Sequence, residues 1–131
     1  MFDPSYGLTK TLDTDYETAL ERVTAALKTQ GFGVLTEIDV KATMKAKLDK
    51  DFRKYKILGA CNPPIAHEAL SRDPGIGLLL PCNVIVFEND EGKVVVSFAR
   101  PKALFQIIDN PDVAAMAEQV EELIRKACDA V

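Results

Sequence analysis

The sequence predicts an α+β fold. A single two-layer domain packs an antiparallel-rich sheet against helices, in the order β-α-β-α-β-α-β-β-α. Three observations predict it. Two long segments, one towards each end of the chain, carry apolar residues at the spacing of one helical face. Between them lie short apolar or β-branched runs bounded by Gly, Pro, Asn and Asp, the punctuation of strands. The helix-start pair Asn-Pro occurs twice, at Asn62-Pro63 and Asn110-Pro111. Helices grouped on one face of such a sheet bury both apolar surfaces at once.

Residues 6–12 read as the first strand. Thr14-Asp15-Tyr16-Glu17 reads as a capping box, with Thr14 as the cap and Glu17 reaching back. Tyr16, Ala19, Leu20, Val23, Ala26 and Leu27 then share one helical face. Gly31 ends this helix by taking positive φ, and Phe32 folds back on Leu27 as in a Schellman ending. Residues 33–38 form a second strand. A short helix with a weak apolar stripe follows over residues 39–51, capped by Asp39.

Residues 55–61 form the third strand. Asn62 caps the next helix, Pro63 takes its first position, and Asp73-Pro74 stops it. Residues 76–87 are too apolar to alternate and read as one long strand buried on both faces for part of its length. Pro81 lies inside this run, which implies an edge or a bulge there. Asn89-Asp90-Glu91-Gly92 is a hairpin loop, and residues 94–99 return as a β-branched strand stopped by Pro101. Residues 104–108 are an apolar connector of no definite type. The last helix carries Val113, Met116, Ala117, Val120, Leu123, Ile124 and Ala127 in one stripe, with Cys128 beside it as a small buried hydrophobe.

The segment from residue 59 to 88 concentrates the chemistry. It holds two of the three cysteines, Cys61 and Cys82, and the only histidine, His67. Two Cys-Asn steps, Cys61-Asn62 and Cys82-Asn83, flank one capped helix. Two strands around a short helix bring the end of the first to the start of the second. Cys61, Asn62, Cys82 and Asn83 are therefore the candidate ligand-binding residues, with His67 at the rim. A helix N-terminus at this place favours an anion or a thiolate. Thiolate and imidazole together suit zinc, copper or iron, and three such ligands are fewer than a closed zinc site needs.

The runs ACNPPIAHEAL and GLLLPCNVIVFE resemble the signature of the family called domain of unknown function 302. The similarity is specific in this central third and weaker along the rest of the chain. It implies a compact α+β domain related to the TATA-box-binding-protein-like folds, and a homodimer. It implies no particular activity. Ala99-Arg100-Pro101 departs from the family pattern, in which an acidic residue precedes the proline.

Composition sets the remaining bounds. The chain of 131 residues suits one domain, and 47% hydrophobic residues supply a core. A formal charge of −4 gives no electrostatic case for nucleic acid. No apolar run is long enough to span a membrane. The first residues lack a secretory pattern, and an odd cysteine number suits reduced thiols in the cytoplasm. Between Asp39 and Lys56, seven bases and three acids leave a local +4, which reads as a solvated face or a docking surface for an acidic partner. Glycine-rich phosphate loops, a G-x-S-x-G elbow and C-x-x-C pairs are all absent from the sequence. A small dimeric ligand-binding or interaction module fits best. A thiol/histidine redox, metal or haem protein and a cysteine-nucleophile enzyme are the alternatives.

Overall fold

Short polar residues stop the chain before each of its longer helices, and their side chains accept the first orphan N–H groups. The computed structural model describes residues 2–131. Strand β1 (Gly7–Leu12) leads to α1 (Tyr16–Thr29). Asp15 caps α1, its carboxylate accepting the Thr18 N–H at 2.7 Å and the Thr18 hydroxyl at 2.9 Å. The expected Thr14–Glu17 box is replaced by a cap one residue later, with both Thr18 donors on the Asp15 carboxylate. At the other end, Gly31 has φ of 82°, and Phe32 N–H donates to Leu27 O at 3.0 Å. This is the expected Schellman ending.

Strand β2 (Gly33–Asp39) runs into α2 (Val40–Leu48), whose first turn is capped by Asp39. No residue of α2 is buried, in keeping with its weak stripe. Strand β3 (Tyr55–Cys61) leads to α3 (Pro63–Arg72) and then a 3₁₀ segment (Pro74–Leu79). Strands β4 (Cys82–Glu88) and β5 (Val94–Ala99) form the hairpin, with Gly92 at φ 75° in its turn. A short α4 (Pro101–Leu104) and a 3₁₀ turn (Phe105–Ile107) fill the connector, and α5 (Pro111–Ala130) closes the fold.

The long strand expected over residues 76–87 is corrected: only its second half is a strand. Its first half is apolar for a different reason. Ile76, Leu79 and Leu80 pack with Ala69, Phe105, Val113, Met116 and Ala117 in a second cluster beside the main core. Apolarity alone does not distinguish a strand from a buried turn. Pro81 accordingly lies just before β4 rather than within it, after a cis peptide bond with Leu80. The one register shift lies in β2, between Val34 and Thr36.

All pairings are antiparallel, in the order β1-β5-β4-β3-β2. Helices α1 and α5 cover one face, burying Leu58, Val84, Val86, Val96 and Phe98 with Val23, Leu27 and Ile124. On the opposite face, Ile38, Ile57 and Ile85 lie in one row across β2, β3 and β4. Phe2 packs edge-on against Phe87 there, and Tyr55 stacks on the same ring at 5.3 Å.

Candidate functional site

The antiparallel register places Ala60 opposite Cys82, so Cys61 and Cys82 lie at the same end of the sheet. Gly59 is required there. A Cβ on it would collide with Thr36 Oγ1 and come within 2.7 Å of Pro81 Cγ. Without that side chain, the Pro81 ring closes over the strand end. Asn62 then turns the chain into α3. Its Oδ1 accepts the Ile65 N–H, and its Nδ2 donates to Gln30 O at 3.2 Å, tying α3 to the end of α1. Gly31 leaves room for that amide: a Cβ on it would sit 3.0 Å from Asn62 Nδ2.

Between these elements lies an apolar cavity of about 340 Å³. Helix α3 gives it Ile65, Ala66, Ala69 and Leu70. The 3₁₀ segment and the turn after it give Ile76, Leu80 and Pro81. The strand ends give Phe32, Leu35, Thr36, Ala60, Cys61 and Cys82, and Phe105, Met116 and Val120 close the far wall. Leu35 and Leu70 are exposed and mark its mouth.

Three of the five residues singled out in the sequence, Cys61, Asn62 and Cys82, line this cavity. His67 and Asn83 are exposed and line none of it. Neighbouring side chains on a strand point to opposite faces, so Asn83 turns away where Cys82 turns in. His67 sits on the outer side of α3, and its carbonyl accepts the Ser71 hydroxyl at 2.7 Å. Among the described residues, no three His, Cys, Asp or Glu side chains gather as a metal-ligand set.

The electrostatics at the start of α3 differ from the expected anion-binding terminus. Pro63 and Pro64 have no N–H to offer. The Ile65 N–H goes to Asn62 Oδ1, and the Ala66 N–H goes to Asn62 O at 2.9 Å. The first turn therefore presents no free donor. Burial pushes the Cys82 thiol up to about 11, and the neighbouring Cys61 adds to the effect. Cys82 is thus a protonated thiol at neutral pH.

Sequence reasoning did not reach the far wall. Phe105, Met116 and Val120 are more than twenty residues from Cys61 and Cys82, and only long-range packing brings them there. It also did not reach Glu121, which is 4% exposed on the apolar stripe of α5. Arg100 Nη2 and Arg125 Nη2 lie 3.1 and 3.6 Å from its Oε2, and Lys102 N–H donates to its Oε1 at 3.1 Å. A signal was present: Ala117, Glu121, Ile124 and Cys128 follow one helical face. The basic segment over residues 41–56 is largely paired within the chain. Lys45 meets Asp49 and Asp51, Arg53 meets Asp90, Lys54 meets Glu17, and Lys56 meets Glu37.

The fold and cavity define a class: small two-layer α+β domains with an apolar cavity at one end of an antiparallel sheet. Among the described residues no helix is long and apolar enough to cross a membrane. The profile of the family described as "Domain of unknown function DUF302" matches residues 8–131, and the chain belongs to that family. It is similar to a solved structure described as an uncharacterized conserved protein DUF302 from Bacillus stearothermophilus. The two are 26% identical over 97% of this chain and 98% of that one, with a TM-score of 0.89. No curated protein matches the chain.

Proposed function

We propose that this domain is a ligand-binding module that holds a small molecule in the cavity beside α3 and works as a homodimer. The cavity is the observation that carries the reading. Its volume of about 340 Å³ falls at the small end of ligand pockets, which run from roughly 300 to 1,000 Å³. Cys61 and Cys82 are the polar contacts we assign to the ligand, with Thr36 on the neighbouring strand, while Asn62 shapes the wall. The raised thiol of Cys82 weighs against that cysteine as a nucleophile, which needs a thiolate.

Native mass spectrometry of gently purified protein tests the reading. A bound mass that is lost in Ala69→Leu, which narrows the cavity, supports it. A bound mass retained in full by that variant sinks it.

The sheet face away from α1 and α5 supports the dimer. Ile38, Ile57 and Ile85 form its apolar row, with Ile38 49% exposed. On this face Phe87 and Val95 are already buried within the chain and Ile57 and Ile85 are half-buried, so Ile38 and the isoleucines beside it are what a second copy would cover. Sedimentation velocity checks it, and a species of 14.4 kDa at micromolar concentration would refute it.

A further inference from the structure

We infer that the cavity is selective for an uncharged, apolar molecule, an aromatic or branched hydrocarbon body without ionised groups at its buried end. The inference rests on the ligand-binding reading and names the chemistry that the site would accept. Among the described residues, no charged one lines the cavity. Its polar side chains are Thr36, Cys61, Asn62 and Cys82. Asn62 is committed on both sides of its amide, to Ile65 N–H and to Gln30 O.

The start of α3 offers no more than these side chains do. Helix starts that hold phosphate or carboxylate do so through free N–H groups. Here two prolines remove two of them and Asn62 takes the next two. Helix α3 therefore begins without the donors that an anion would need. A charge brought into this space would lose its hydration and gain no charged partner, only the Thr36 hydroxyl and two thiols, whereas an apolar ring needs no partner. Leu35 and Leu70 at the mouth extend the same chemistry outward.

The test compares p-xylene with terephthalate, which has the same ring but a carboxylate at each end, so that one charge must enter with it. Isothermal titration of the full chain at neutral pH reads both affinities. The inference expects saturable binding of p-xylene, with terephthalate weaker by roughly tenfold or more. Ala66→Phe, which fills the space beside α3, is expected to abolish p-xylene binding. Methyl chemical shifts of Ile65 and Ile76 in the wild-type protein locate the ring independently of that variant. Equal or tighter binding of terephthalate overturns the apolar selectivity while leaving the cavity as a ligand site. Failure of both probes to bind, or shifts confined to residues outside the cavity, overturns the cavity reading as well.

Discussion

Removing Arg100 should destabilise the domain through a residue it does not adjoin in sequence. Glu121 is buried on α5, and Arg100 supplies the closer of its two guanidinium partners. Breaking a buried ion pair by deleting one partner costs about 3–5 kcal/mol, because the other charge is left without compensation. Two features reduce that figure. Arg125 and the Lys102 N–H still reach the carboxylate, and the Arg100 side chain is itself 32% exposed. Arg100→Ala is therefore expected to cost about 2–3 kcal/mol. For a chain of this size each kcal/mol moves the thermal midpoint by roughly 3–5 °C, so the loss is about 6–15 °C. Urea denaturation at neutral pH measures it directly. Replacing both members, in Arg100→Met with Glu121→Leu, should recover most of the loss, since no charge then remains buried. A loss for Arg100→Ala below about 0.5 kcal/mol, the range of ordinary surface substitutions, would refute the argument.

Three further outcomes are expected. Asn62→Ala should cost about 1–2 kcal/mol by removing the cap of α3 and its tie to Gln30, read as a lower denaturation midpoint with loss of helical ellipticity. The Cys82 thiol is raised from an ordinary 9.0 to about 11 in the folded chain. Between those values the unfolded thiol has lost its proton and the folded one has not, so stability should fall as pH rises from 9.0 to about 11. Cys82→Ala should flatten that limb, and alkylation of Cys82 at pH 8 should be slower than that of a free thiol; an alkaline limb unchanged in Cys82→Ala would count against the assignment. Gly59→Ala should lower stability by about 1–3 kcal/mol, because its Cβ meets Thr36 and the Pro81 ring, and a wild-type midpoint would show that the strand end can relax.

Local signals in this chain were read well because each rests on one or two neighbouring residues. Asn62-Pro63 and Asn110-Pro111 begin helices, Gly31-Phe32 ends one, and Asn89–Gly92 turns the hairpin, all as their side-chain and backbone chemistry requires. The end of the sheet was legible too, since the helix between Cys61 and Cys82 brings them together. What stayed hidden depends on packing between distant segments. The apolar run at 76–80 follows the same hydrophobic rule as a strand but serves a cluster built by α3, Phe105 and α5. Pairing Cys82 with Asn83 as neighbours on one site neglected the alternation of a strand. Asn62-Pro63 marked a helix start in the sequence, but the cost to anion binding depends on the folded first turn, where Pro63 and Pro64 offer no N–H and Ile65 and Ala66 donate to Asn62.

The two apolar clusters bear on how the domain comes apart. One joins the sheet to α1 and the later part of α5, and the other joins α3 and the 3₁₀ segments to the start of α5. Ile65 packs against both, and the cavity lies beside it. Of the residues of α3, Ile65 is the one that packs against the sheet cluster as well as its own. Helix α3 and the Pro74–Leu79 segment are therefore expected to open more readily than the β4–β5 hairpin, read as faster amide exchange. A molecule seated in the seam would touch both clusters at once, and amide exchange in α3 would slow towards the rate of global unfolding. Occupancy would thereby couple the opening of one cluster to that of the other.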